Sequence, residues 1–234
     1  MLLDAFIPGS TKRVLFETAS GGPLRAVVSE GQRQATGLEF SGLDTPLALR
    51  DGIVFSATVS DPTGTAPRSG LFFARRDTIV PIVMIGDRAP GSSGRRIDSM
   101  GGAMGTGRGV VFEVGLTGLA DPEAFLAWRP GRRLSRLDRP GPARKAASIG
   151  PFIAVPPFVI GFEEDIGPRL VALSRHAHAV LVRDGDPSPL GGTLTIREGL
   201  VRSPRGVAFI ASSDPGDGRP AAIFEAALPR RLGQ

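Results

Sequence analysis

The sequence predicts an all-β fold, and within that class a β-propeller of four-stranded antiparallel blades. Three observations lead there. The 234 residues include 32 Gly and 21 Pro, and no window carries a sustained apolar stripe at helical period, so turns and short strands dominate. One phrase recurs: Ile85-Gly86-Asp87-Arg88-Ala89-Pro90-Gly91 leads to Gly109-Val110-Val111-Phe112, and Asp184-Gly185-Asp186-Pro187-Ser188-Pro189 leads to Gly206-Val207-Ala208-Phe209. Fainter copies keep the phase, from Glu30-Gly31-Gln32 to Gly52-Ile53-Val54-Phe55 and from Leu137-Asp138-Arg139-Pro140-Gly141-Pro142 to Val159-Ile160-Gly161-Phe162. From turn to closing Phe the separation is 24 residues in three copies (Gly31, Asp138 and Gly185 onward) and 26 in the one that starts at Gly86. Repeats of roughly 40 to 57 residues, each made of short strands and Gly/Pro turns, are the mark of a radial β architecture.

Taken in order, the first repeat (residues 13–61) offers strands at 14–17, 24–28, 38–40 and 53–59. The second (69–117) offers 71–75, 80–85, a weak stretch at 96–100, and 110–115. The third (124–167) offers 125–128, 134–137, 152–155 and 159–162, and the fourth (169–214) offers 170–173, 179–182, 193–196 and 207–211. Each set of four is expected to form one blade, a meander that buries both faces only by stacking on its neighbours. Phe55, Phe112, Phe162 and Phe209 are the expected equivalent core positions. A fifth copy begins and breaks off: Ile223-Phe224-Glu225-Ala226-Ala227 echoes Leu15-Phe16-Glu17-Thr18-Ala19. Residues 220–228 are therefore expected to pair beside the N-terminal strands and close a ring, of five blades in preference to four plus an extra strand, covering an edge that would otherwise template aggregation; an open stack completed by a second chain is the alternative. A single domain over 1–234 follows, monomeric if the ring closes.

Composition bounds the chemistry. There is no Cys, hence no disulfide or thiolate metal site. No apolar run approaches the ~18 residues of a membrane-spanning helix, and Met1-Leu2-Leu3-Asp4 lacks the basic start of a signal peptide, so a soluble cytoplasmic protein is expected unless a leader was removed. The net charge of +5 is carried almost wholly by Arg. Codon bias accounts for that preference without nucleic-acid binding, which needs a clustered basic face.

The phrases around Gly86-Asp87 and Gly185-Asp186 resemble the tandem-repeat β-propeller-like proteins of bacteria, whose repeats carry a Gly-Asp-x-x-Pro-Gly turn followed by an Asn-x-x-Gly-x-x-Ala-Phe strand. Here the Asn is missing, and the Gly stands three residues before the Phe instead of four. The resemblance implies the propeller fold and carries no assigned activity.

Candidate site residues fall into four groups. Asp87 and Asp186 recur at equivalent turns, which invites a ligand-binding role; the same Gly-Asp-x-x-Pro pattern also satisfies a turn by itself, Gly supplying positive φ and Asp bonding nearby amides. Acidic loops follow each repeat at Asp61, at Asp121 with Glu123, at Glu163-Glu164-Asp165, and at Asp214 with Asp217. The triple Glu163, Glu164 and Asp165 is the candidate for a hard cation or for the paired acid and base of glycoside cleavage, although solvated charge explains it as well. His176 and His178 have the spacing that shares one face on a strand, but their position matches the hairpin turn at Arg76 and Thr78 of the second repeat and no third ligand is near, so no metal is expected. The stretch 129–145 holds Arg129, Arg132, Arg133, Arg136, Arg139, Arg144 and Lys145 against Asp138 alone; Arg132 and Arg133 suit an anionic ligand or an acidic protein. Aromatic interleaving is confined to Trp128, so stacking on nucleic acid is not expected. Gly101-Gly102-Ala103-Met104-Gly105-Thr106-Gly107 lacks the Lys-Ser/Thr ending of a P-loop. No catalytic set converges and no cofactor is implied. A non-enzymatic binding or scaffold module is the expected function, with a carbohydrate-active enzyme using Glu163, Glu164 or Asp165 as the alternative.

Overall fold

The computed structural model describes residues 2–6, 12–18, 23–34, 36–60, 66–118, 124–137, 149–155, 158–163, 168–174, 178–203, 206–213 and 222–228. They form an all-β protein of five antiparallel sheets. In chain order the first holds β1 (Leu2–Phe6), β2 (Arg13–Glu17) and β3 (Arg25–Ser29), and the second β4 (Glu39–Leu49), β5 (Gly52–Ser60), β6 (Arg68–Arg75) and β7 (Thr78–Met84). The third holds β8 (Ile97–Gly105), β9 (Val110–Leu116), β10 (Ala124–Trp128) and β11 (Ser135–Arg136); the fourth β12 (Ile149–Val155), β13 (Phe158–Glu163), β14 (Arg169–Leu173) and β15 (His178–Arg183). The last holds β16 (Leu194–Arg202), β17 (Gly206–Ser213) and β18 (Ala222–Ala227). Every sheet runs its strands in sequence order, the pattern that short turns between adjacent antiparallel strands produce. The chain divides into two compact units, residues 1–117 with 127–135, and residues 118–126 with 136–234.

Sheet boundaries correct the expected blades. The strands expected at 14–17 and 24–28 are β2 and β3 of the first sheet, whereas those at 38–40 and 53–59 lie in β4 and β5 of the second. Each sequence repeat thus supplies the last two strands of one sheet and the first two of the next. The reason is physical: the Gly-Asp phrase is the corner between sheets, not a turn inside one. The strand around Phe224 is corrected too, since β18 pairs with β17 through Phe209↔Phe224 and not with the N-terminal strands. Its likeness to the Phe16 strand has a different cause. Phe72 of β6 faces Phe55 of β5 just as Phe224 faces Phe209, and Phe16 faces Leu3 of β1 in the same way.

The four phase-locked phenylalanines lie on β5, β9, β13 and β17, each the strand after the first of a four-stranded sheet or of the last sheet. Phe55, Phe112 and Phe209 are buried to 2 % exposure or less; Phe162 pairs with Leu170, and its side chain lies outside the described set. Ahead of three of them stands a glycine with a steric reason. A Cβ on Gly52, Gly109 or Gly206 would sit 2.3, 2.3 or 2.0 Å from the carbonyl oxygen of Ala74, Trp128 or Ala226 on the neighbouring strand, which no side chain tolerates. In the first unit, Phe40, Phe55 and Phe72 form an aromatic triangle with centroids 5.3 to 5.8 Å apart. Leu15, Val28, Leu43 and Ile53 close the core around it. In the second unit, Phe125 meets Phe152 edge-on at 4.9 Å and Phe209 stacks with Phe224 at 5.9 Å. Such pairs add ~0.5–1.5 kcal/mol beyond the area they bury.

Candidate functional site

Three corners joining successive sheets share one hydrogen-bond scheme, and the recurring Asp residues belong to it. Between β7 and β8, Gly86 takes φ 95°, which the Cβ of other residues disfavours. Its amide donates to Ile97 O (2.7 Å), the Ile97 amide donates to Asp87 O (2.9 Å), the Asp87 amide donates to Met84 O (3.0 Å), and the Ile85 amide reaches Ser69 O (2.9 Å). The Asp87 carboxylate accepts the Met84 amide (2.9 Å) through Oδ2 and Arg68 Nη2 (3.2 Å) through Oδ1. Between β15 and β16 the scheme is the same. Gly185 (φ 84°) donates to Leu194 O (2.7 Å), Leu194 donates to Asp186 O (2.8 Å), and Asp186 Oδ2 accepts the Arg183 amide (2.8 Å). Between β3 and β4 a glutamine does the same work. Gly31 (φ 82°) donates to Phe40 O (2.7 Å), and Gln32 Oε1 accepts the Ser29 amide (3.1 Å). An amide oxygen replacing a carboxylate oxygen shows what the position requires: an acceptor for a strand-end N–H, not a charge. Asp87 and Asp186 therefore act here as turn-closing acceptors, the second of the two roles their pattern allows.

Arg132 and Arg133 are exposed in the loop between β10 and β11, shaped by Gly131 at φ 72° and by the Arg132 amide donating to Arg129 O (3.0 Å). Their guanidinium groups stand in solvent, open to bidentate contact with an oxyanion. Arg139, Arg144 and Lys145 lie outside the described residues, as do Glu164, Asp165, Asp61, Asp121, Glu123, Asp214, Asp217 and His176. Glu163 ends β13, its backbone paired with Ile149 and Arg169. His178 opens β15 with an exposed side chain. Among the described residues no three His, Asp or Glu side chains gather in a metal-binding group. The glycine run at 101–107 lies along β8 and the turn after it. Gly101 packs against the Glu113 side chain of β9, with a Cβ there 3.2 Å from Glu113 Cβ.

In the first unit a cavity of about 210 Å³ lies between β3 and the β6–β7 turn, lined by Arg25, Val28, Ser29, Gln32, Arg76 and Ile79. Arg25 is already engaged there, bonded to Glu17 and 3.3 Å from Asp77. The Glu17 hydrogen bond holds the guanidinium proton more firmly than usual. The volume is below the ~300–1,000 Å³ of small-molecule pockets, and Arg25 and Asp77 within it are already paired with each other.

The corner after β7 carries one arrangement that the sequence pattern does not reveal. Arg88 and Arg96 face each other across an isolated antiparallel bridge, and Arg68 joins them at the same corner, bonded to Ile85 O (2.8 Å) while Arg96 Nη1 bonds Gly86 O (2.5 Å). Residues 88 and 96 are eight apart with no periodic signal linking them; only the corner's bonding scheme brings them together. No protein-family model matches this chain, and no curated protein sequence is significantly similar to it.

Proposed function

We propose that this chain is a non-enzymatic binding module, a tandem-repeat β-propeller in which the five sheets are the blades and exposed arginines receive an anionic ligand or an acidic protein. The recurrence of one corner scheme supports the reading. It commits the repeated acidic side chains to backbone amides, making them part of a scaffold, and leaves guanidinium groups as the chemistry offered to solvent. Among the described residues the first sheet holds three strands without the leading one of the four-stranded pattern and the last holds three without the trailing one, so the two are complementary in strand content as the ends of a closing repeat array are. The test is retention of the intact protein on a heparin matrix and on immobilised poly-glutamate at low salt. Arg132→Glu with Arg133→Glu is expected to elute at distinctly lower salt on at least one of them, because each contact made through a guanidinium contributes to the salt dependence. Unchanged elution removes the hairpin from the reading. Hydrolysis of a glycan that is lost in Glu163→Gln, Glu164→Gln or Asp165→Asn replaces the reading with the carbohydrate-active enzyme.

A further inference from the structure

The shared bonding scheme allows the corners to be compared position by position, and the comparison isolates one of them. Across its isolated bridge the first corner pairs Arg33 with Glu39, whose charged groups are 3.6 Å apart. The corner after β15 places Pro187 opposite Thr193. The corner after β7 places Arg88 opposite Arg96. Like charges directly opposed on neighbouring strands destabilise each other, so this is the one described corner where the local electrostatics are unbalanced. The next position deepens the contrast. The Leu38 carbonyl accepts the Gln34 amide in the first corner and its side chain packs on the core; the Arg95 carbonyl accepts the Ala89 amide in the second. Arg95 thus carries a guanidinium where its counterpart is apolar, and its Nη1 is buried without an acceptor. Arg68, Arg88, Arg95 and Arg96 belong to the same corner as Asp87, whose carboxylate is already bonded to Arg68 and the Met84 amide.

We propose that Arg68, Arg88 and Arg96 form a binding site for a tetrahedral oxyanion, a phosphate or sulfate group, with Arg95 adding charge from the other side of the same strand segment. Two of the three guanidinium groups are anchored by main-chain carbonyls, Arg68 on Ile85 and Arg96 on Gly86, so their positions are fixed before a ligand arrives. Each retains N–H donors beyond those bonds, and Arg88 is exposed. A divalent oxyanion between them replaces mutual repulsion with charge-assisted hydrogen bonds, the geometry for which guanidinium is suited. The site rests on the anion-binding reading above but lies on a different loop from Arg132 and Arg133.

The experiment titrates the intact protein with sodium sulfate and, separately, with sodium phosphate, against sodium chloride at matched ionic strength, reading melting temperature and calorimetric heat. Sulfate or phosphate is expected to raise the melting temperature in a saturable way that chloride does not reproduce; the two arms show which group is preferred. Arg96→Glu, which rebuilds the charge pair of the first corner, is expected to lose that response while melting no lower than the wild type in low salt. Arg88→Gln is expected to weaken the response at least tenfold. The proposal is overturned if neither oxyanion exceeds chloride, or if Arg96→Glu retains the full response. Loss of the oxyanion response with polyanion retention intact overturns this site alone; loss of polyanion retention with the oxyanion response intact overturns the hairpin reading alone.

Discussion

The second and fifth sheets are built on the same plan and end in different states. In the second, adjacent residues that point to opposite faces are both buried: Val54 and Phe55 on β5, and Leu71, Phe72, Phe73 and Ala74 on β6, are all at 6 % exposure or less. In the fifth, the cover of the two faces is unequal. Phe209 and Phe224 are buried, while Ile210 and Ile223, paired across the strands on the opposite face, are 37 % and 79 % exposed, with Val201 at 61 %. Both sheets have the same register, the same glycine contact and the same paired rings. What differs is cover, and the difference teaches that the strand plan repeats independently of packing: apolar side chains stand on both faces whether or not something lies against them.

The largest effect that sharpens this contrast is expected from the central rings. Phe55→Ala should destabilise by about 3–5 kcal/mol, measured by urea denaturation, since it empties the middle of a closed aromatic triangle. Phe209→Ala should fall toward the lower end of that range, near 3 kcal/mol, because its ring has one aromatic partner and an uncovered strand face that relaxes around the loss. Equal costs would mean that the fifth sheet is as fully packed as the second.

How far these features could be read from the sequence depends on their range. The all-β class, the phase of Phe55, Phe112 and Phe209, and most strands were legible because alternation and Gly/Pro turns are local signals. The frame was not. Glu30-Gly31-Gln32 and Ile85-Gly86-Asp87 look like hairpin turns in sequence, and their role as corners between sheets depends on amides and carbonyls some ten residues away at Phe40 and Ile97. The likeness of the Phe224 strand to the Phe16 strand is legible, yet likeness between two strands does not say which neighbour each one pairs with, and β18 pairs with β17. At the candidate site, Asp87 and Asp186 were visible as recurring residues with two possible roles, and Gln32 decides between them at the first corner only once its Oε1 is seen on the Ser29 amide. The Arg88–Arg96 opposition had no sequence signature at all.

A smaller effect is expected at the corners. Asp87→Ala leaves the Met84 amide without its acceptor and should cost about 1–2 kcal/mol, readable as a shift in denaturation midpoint. Asp87→Asn, which keeps an acceptor oxygen as Gln32 does, should recover most of it. The exposed ion pair with Arg68 adds little to either figure. Smallest of all is the uncovered face. Ile223→Thr should change stability by no more than about 0.5 kcal/mol, as surface substitutions do, and should lower any tendency to associate at high concentration. A loss above ~1.5 kcal/mol would show that this face is covered in solution and would erase the distinction between the two sheets.

The central claim is that the recurring Gly-Asp and Gly-Gln phrases are structural corners and not open ligand loops, and amide hydrogen exchange on the intact protein addresses it most directly. Gly31, Gly86 and Gly185, together with Phe40, Ile97 and Leu194, should exchange slowly, at rates near those of the central strand amides, because each donates to a corner carbonyl within 2.7 to 3.1 Å. Exchange of these six amides at the rate of exposed loops would contradict it.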